Sequence, residues 1–179
     1  MKKRLLSALL FCTFSPLFTA HAASTATLPL DVNAIYDEDT DLVKRAEQGD
    51  LEAQNRLAYI LTTSGSDSTW KEGFMWLKRA ADGGHVLSQF AVGKTYFTSK
   101  KIPYDPQQGQ AYLAKAADAN LPIAQMALAS LLADGKALKK DVKASTFWAN
   151  RLLNNAKASE SHKKTARYSG FAEKRLILS

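Results

Sequence analysis

The sequence predicts an all-α fold, a solenoid of about three two-helix repeats. The first observation is a period of 36 residues at which an aromatic side chain recurs, as Trp76, Tyr112 and Trp148. The second is a small residue three positions before each aromatic, as Gly73, Gly109 and Ser145. The third is an AQxxLA-like segment at 53–58, 88–93 and 124–129. Because all three features keep one register, each copy is predicted to form the same unit.

The AQxxLA-like segment marks the first helix of each unit, here called helix A. Its apolar residues are spaced i, i+4, i+5 and i+8, which places them on one helical face. In the first unit these residues are Ala53, Leu57, Ala58 and Leu61. The sixth position is always small, and in the second unit it is Gly93, which costs about 1 kcal/mol relative to Ala inside a helix. We therefore expect another helix to pack closely against this position.

The second helix of each unit, helix B, is predicted to begin behind a capping residue. Asp105 is followed by Pro106, and an acceptor at the N-cap with proline at the first helical position is typical of a helix start. Asp141 takes the same place in the third unit. In the first unit, the sequence from Thr69 to Glu72 fits a T-x-x-E capping box.

The aromatic residue of helix B lies on the same helical face as the small residue three positions before it. A unit of two helices cannot bury its apolar face alone, so stacked units share one continuous core. Trp76 and Tyr112 are therefore predicted to be buried wedges between consecutive units.

The N-terminal part of the chain is predicted to be an export signal. Residues 1–22 combine a basic start, an apolar stretch of about ten residues and a small-x-small cleavage site at Ala20-His21-Ala22. An uncleaved anchor is the alternative, although the apolar run is short for a membrane span. Residues 23–38 have no period and are predicted to be a linker. We expect no membrane-spanning segment after cleavage.

The remainder is predicted to be one repeat domain with a terminal helix. Residues 39–158 hold the repeats, and residues 41–49 resemble the end of a helix B, which makes them a preceding half-unit. Residues 159–179 are predicted to form a C-terminal capping helix that covers the open end of the stack, with Tyr168, Phe171, Ala172 and Leu176 on its apolar face.

Composition argues against several classes of function. Cys12, the single cysteine, lies in the predicted signal, so the mature chain has no disulfide and no thiolate metal ligand. Residues 23–179 carry 21 Lys and Arg against 17 Asp and Glu, a net charge of +4 that does not favour nucleic acid as a partner.

No motif of catalysis or cofactor binding is present. The two histidines of the mature chain are far apart in sequence, and neither an HExxH motif nor a glycine-rich phosphate loop occurs. The stretch Gly65–Ser68 superficially resembles a serine nucleophile, but a loop between helices is the favoured interpretation. We therefore expect no catalytic residue, no metal and no cofactor.

The repeated residues resemble the Sel1-like repeat family, a relative of the tetratricopeptide repeats. Its pattern of D-x-x-K-A-x-x-W-Y-x-K-A-A-x-x-G followed by A-x-x-x-L-G-x-x-Y is matched by "DPQQGQAYLAKAADANLPIAQMALASLL" at 105–132 and "DVKASTFWANRLL" at 141–153. The first copy departs from it, because it lacks the Asp before helix B. The resemblance implies a right-handed α/α solenoid whose A helices line a concave groove.

The groove supplies the candidate binding residues. Two positions of each A helix, four residues apart, fall off its packing face. They are Asn55, Tyr59, Phe90, Lys94, Met126 and Ser130. The large apolar members, Tyr59, Phe90 and Met126, are predicted to anchor a partner. The alternative is that they pack against a neighbouring helix.

The sequence predicts a monomeric, non-enzymatic periplasmic adaptor or scaffold that binds another protein in this groove. The resemblance implies a component of envelope machinery as the partner. An immunity protein that neutralises an interbacterial toxin in the periplasm is the alternative. A hydrolase with a convergent site is a less favoured one, because no set of nucleophile, base and acid is visible.

Overall fold

A computed structural model describes residues 40–64 and 66–168 of the chain. This part is helical and contains no strand. Its elements are α1 (Thr40–Glu47), α2 (Leu51–Thr63), α3 (Asp67–Asp82), α4 (Val86–Thr98), α5 (Pro106–Asp118), α6 (Pro122–Asp134), α7 (Val142–Leu153) and α8 (Glu160–Tyr168). The predicted signal peptide, the linker at 23–38 and the predicted residues Phe171, Ala172 and Leu176 lie outside the described residues.

The helices form three successive pairs. Helices α2, α4 and α6 are the A helices, and each packs against the B helix that follows it, α3, α5 or α7. Helices α3 and α5 also pack against the next A helix, α4 and α6 respectively, which builds a stack of units. Helix α1 precedes the first pair, and α8 contacts α6 and α7 at the other end. The predicted all-α solenoid with a half-unit in front of it is confirmed.

Small residues bring the A and B helices of a unit into close contact. A Cβ atom added to Gly93 would lie 2.8 Å from Leu113 Cγ and 3.0 Å from the Leu113 backbone nitrogen. A Cβ atom on Gly73 would likewise come within 2.8 Å of a side-chain carbon of helix A. In the third unit the buried Ser145 hydroxyl donates a hydrogen bond to the Ala129 carbonyl over 2.8 Å. The predicted close packing at Gly93 is therefore present.

A buried glutamine ties each A helix to the preceding B helix. The amide nitrogen of Gln89 donates to the carbonyl of Ala81 over 3.2 Å, and Gln125 donates to Ala117 over 3.1 Å. Gln54 makes the equivalent 2.9 Å bond to Ala46 in α1. Helix α1 thus takes the place of a B helix, as expected for a half-unit. In the sequence this glutamine is visible only as the second residue of the AQxxLA-like segment, with no indication of its bonding partner.

One predicted cap is wrong. Helix α3 begins at Asp67, three residues before the expected start, and the Ser66 hydroxyl accepts a hydrogen bond from the Thr69 backbone nitrogen over 3.2 Å. Ser66 is as good a capping residue as Thr69, so the helix extends back to it. The serine-containing stretch at 66–68 is therefore a helix start, not a loop. The caps at Asp105 and Asp141 are confirmed.

The C-terminal helix α8 begins at Glu160, one residue after the predicted boundary, and residues 169–179 of the predicted helix lie outside the described residues. One buried cluster contains Leu152 of α7, Ala166 of α8 and Ala158 in the connection between them. Met126 of α6 packs against that cluster. Helix α8 therefore covers part of the last unit with small side chains.

Candidate functional site

The exposed residues of α2, α4 and α6 form a surface that we call the A face. Tyr59 is 69% exposed, Leu87 is 57% exposed and Ile123 is 37% exposed, and Lys94 is also exposed. Leu87 and Ile123 occupy the same position in consecutive A helices, and Tyr59 and Lys94 share another. Large apolar side chains exposed on successive units are typical of a contact surface for another protein.

The six predicted site residues fall into different environments. Tyr59 and Lys94 are exposed on the A face, and Ser130 is partly buried. Phe90 packs against the core cluster around Leu113, and Met126 packs against the terminal cluster.

Asn55 is partly buried and accepts a hydrogen bond from the Ser88 hydroxyl over 2.9 Å. Asn55, Phe90 and Met126 share one repeat position, which lies beside the packing face. Asn55 therefore bonds to the next A helix, and Phe90 and Met126 pack against the two buried clusters. The two exposed apolar residues that the sequence analysis missed, Leu87 and Ile123, are each the second residue of their helix. At that position no preceding turn covers the side chain.

A chain of polar side chains joins the first two A helices. His85 Nδ1 lies 2.8 Å from the Ser88 hydroxyl, and His85 Nε2 lies 3.1 Å from a Glu52 carboxylate oxygen. The residue types match a Ser-His-Glu triad, which the sequence did not predict. Ser88, however, is fully buried, and its backbone nitrogen donates to His85 Nδ1 as a helix cap. A buried hydroxyl cannot reach a substrate, so the arrangement fastens two units together.

The B helices carry a repeated pair of a base and an aromatic ring. The guanidinium of Arg79 lies 4.6 Å from the ring centre of Trp76, and the Lys115 ammonium lies 5.0 Å from that of Tyr112. Trp76 and Tyr112 are each 4% exposed, so their predicted burial is confirmed. The third aromatic, Trp148, is partly buried.

Acidic residues at the ends of the B helices link consecutive units. Tyr112 donates to Asp82 of the preceding unit over 2.5 Å, and Lys78 donates to the same carboxylate over 2.8 Å. Burial raises the pKa of Asp82, but these two hydrogen bonds outweigh it and hold the pKa below its usual value. One unit later, Arg151 donates to Asp118 over 2.7 Å.

Burial raises the pKa of Glu72 above its ordinary value. A hydrogen bond with the Trp76 side chain partly offsets that effect. The other carboxyl oxygen has no hydrogen-bond partner in the described part of the chain. Glu72 is therefore a source of instability when it is ionised.

Metal ligation and membrane insertion find no support in residues 40–64 and 66–168. No three His, Cys, Asp or Glu side chains meet there in an arrangement that could hold a metal ion. Across the same residues, no helix combines the length and the apolar character that a membrane span requires.

Solved structures with the same fold come from bacteria. A Sel1 repeat protein from Oxalobacter formigenes has 26% identity and a TM-score of 0.64 over 74% of this chain and 38% of its own. The protective antigen c5321 from uropathogenic Escherichia coli strains has 24% identity and a TM-score of 0.58, over 75% of this chain and 34% of its own. Cysteine-rich protein B of Helicobacter pylori has 17% identity and a TM-score of 0.52, over 71% and 96%.

The chain therefore spans little more than a third of the first two structures. None of the curated proteins matches it. The Sel1 repeat model matches residues 51–85, 86–121 and 122–154, which is more than half of the chain and coincides with the three helix pairs. This chain belongs to the Sel1 repeat family.

Proposed function

We propose that this chain is an exported, non-enzymatic module that binds another protein through its A face. Sel1 repeats typically mediate protein–protein interactions. The observation that carries the proposal is the exposure of Tyr59, Leu87 and Ile123 on three successive A helices, with Lys94 beside them. Exposed aromatic and aliphatic side chains are the usual anchors of protein interfaces.

The six predicted groove residues remain part of the proposed binding surface, but they differ in how accessible they are to a partner. Tyr59 and Lys94 are accessible to a partner without any change in packing. Phe90 and Met126 are partly exposed and would form the floor of the contact. Asn55 and Ser130 would contribute at its edge.

Two tyrosines make a matched test of the A face. Tyr59 lies on α2, and Tyr104 lies in the connection between α4 and α5 and is 59% exposed. The partner is captured from a periplasmic extract, identified by mass spectrometry and titrated with purified Tyr59→Ser, Leu87→Ser and Tyr104→Ser variants. We expect the first two variants to lose about 2 kcal/mol of binding free energy each, and the control to bind as the wild type does.

Equal binding by all variants would overturn the assignment to the A face. The identity of the captured protein separates the two forms of the proposal, an envelope component or a toxin that acts in the periplasm. Export is tested by mass spectrometry of the N-terminus, which we expect at Ala23. A membrane-bound form that retains residues 1–22 would contradict export by a cleaved signal.

A further inference from the structure

A second surface, on the last B helix, has the chemistry of a ligand site. A surface pocket of about 640 Å³ opens at the C-terminal end of α7. One face of α7 lines it with Phe147, Asn150, Arg151 and Asn154, which are spaced i, i+3, i+4 and i+7. Lys157 follows at its edge. Aromatic, amide and basic side chains therefore converge on one open space.

Two carboxamides at the end of α7, those of Asn150 and of the C-cap residue Asn154, can bind a ligand. In the described part of the chain, neither the Asn150 nor the Asn154 side chain has a hydrogen-bond partner. Asn155, by contrast, is buried and donates to the Asn120 carbonyl over 3.1 Å and to Gln125 Oε1 over 2.9 Å. The floor of the pocket is thus held in place while two polar groups above it remain available.

The basic side of the pocket is also fixed in position. Arg151 donates two hydrogen bonds to Asp118, one to the carboxylate over 2.7 Å and one to the backbone carbonyl over 3.4 Å. Its guanidinium lies 5.7 Å from the ring centre of Phe147 and 5.1 Å from that of Trp148. A guanidinium has five N–H donors, so three of them stay available for a ligand.

The pocket lies in the more basic part of the described chain, and Arg151 and Lys157 line it. Residues 122–168 carry nine Lys and Arg against three Asp and Glu, whereas residues 40–121 carry ten against nine. The net charge of the third unit with α8 is therefore +6, and that of the preceding part is +1. No acid is among the residues that line the pocket, and Asp118, which Arg151 contacts, is paired with it. An anionic ligand is favoured here over a cationic or neutral one.

We propose that the pocket binds an extended acidic segment of a protein partner. Side chains four apart on a helix stand about 5–6 Å apart at Cβ, which is close to the spacing of about 6.7 Å between alternate residues of an extended chain. A carboxamide both donates and accepts, so Asn150 and Asn154 can each pair with a peptide group of such a chain. Arg151 and Lys157 then meet its carboxylates, and Phe147 covers its apolar side chains.

This inference rests on the proposed function only in taking a protein as the partner, since the A face does not contribute to the pocket. The test uses the capped pentapeptide GEVEG, whose carboxylates lie two residues apart, and the isosteric GQVQG. Binding is followed on the ¹⁵N-labelled protein through the side-chain amide signals of Asn150 and Asn154. We expect GEVEG to shift both signals saturably and GQVQG to bind about tenfold more weakly.

Two variants and one control locate the site. The double variant Asn150→Ala/Asn154→Ala lacks these side-chain signals, so its binding is followed through the backbone amide signal of Arg151. It should bind GEVEG about tenfold more weakly, because two hydrogen bonds are lost. Lys157→Glu should weaken binding to a similar extent. Lys71→Glu changes a lysine of the first unit that is also exposed, and it should leave binding unchanged. If the double variant fails to fold by circular dichroism, the comparison of Lys157→Glu with Lys71→Glu decides.

Several results would overturn the inference. They are the absence of amide shifts at millimolar peptide, equal affinity for both peptides, and an equal loss with either lysine variant. Shifts of the same amides by an N-acetylglucosamine tetramer in place of the peptide would assign the pocket to a glycan. If GEVEG does not bind while Tyr59→Ser still weakens binding of the captured partner, only the proposal for the pocket is refuted. If GEVEG binds and Tyr59→Ser does not change binding of the partner, the assignment of partner binding to the A face is refuted instead.

Discussion

Replacing Trp76 by alanine tests whether the aromatic wedges hold the stack together. Trp76 is only 4% exposed, and truncating a buried Trp to Ala costs about 3–5 kcal/mol. The change also removes the ring beneath Arg79, a contact of about 0.5–1 kcal/mol at a partly exposed site. Glu72 loses its hydrogen-bonded neighbour as well. We expect the free energy of unfolding to fall by about 3–5 kcal/mol, since these terms overlap.

The measurement is urea unfolding followed by circular dichroism at 222 nm. Phe147→Ala is the matched control, because this aromatic also belongs to a B helix but is 53% exposed. Its loss should stay within about 1 kcal/mol. Because each unit is stabilised by its neighbours, the Trp76 variant should lose structure throughout the stack. A loss below about 1 kcal/mol, or equal losses in the two variants, would refute the role of Trp76 as a wedge.

Three further changes test charge and close packing. Burial raises the pKa of Glu72, so its ionised form destabilises the fold as pH rises above its unfolded value of 4.5; thermal melts at pH 5 and pH 8 should show Glu72→Gln gaining stability over the wild type at the higher pH. The pKa of Asp82 is lowered, so its contribution is present above the unfolded value of 3.8 and is lost as pH falls; Asp82→Asn should melt earlier than the wild type at pH 7, and the difference should shrink in acid. Gly93→Ala improves helix propensity by about 1 kcal/mol but pushes a Cβ against Leu113, an overpacking of about 1–3 kcal/mol, so calorimetry should show a lower melting temperature.

The sequence alone predicted the features that repeat. The wedge residues Trp76 and Tyr112, the close contact at Gly93 and the caps at Asp105 and Asp141 all recur at a fixed interval. A stack of identical contacts imposes one set of sizes at one set of positions, so periodicity reports packing directly. Features that depart from the period were harder to predict. The predicted start of α3 was wrong because Ser66 and Thr69 are equally suitable capping residues.

The sequence did not predict contacts between residues about 33 apart. Ser88, His85 and Glu52 meet because consecutive A helices stack, and neither the order nor the type of these residues indicates that meeting. Exposure was misjudged for the same reason. Phe90 and Leu87 lie three residues apart on α4, yet Phe90 packs against the core cluster around Leu113 whereas Leu87 is exposed. The neighbouring unit covers only one side of an exposed helical face. Which side it covers depends on the angle between consecutive units, and that angle cannot be read from one sequence.

One repeat position shows how the last unit differs from the others. Asp82 accepts a hydrogen bond from Tyr112 of the next unit, and Asp118, one period later, accepts one from Arg151. The third member of the series is Asn154, whose side chain has no hydrogen-bond partner in the described part of the chain and lines the pocket. An aspartate there, without a cation from a following unit, would repel an acidic ligand. An asparagine keeps the hydrogen-bonding capacity and removes the charge, so the position that joins units inside the stack becomes available for binding at its end.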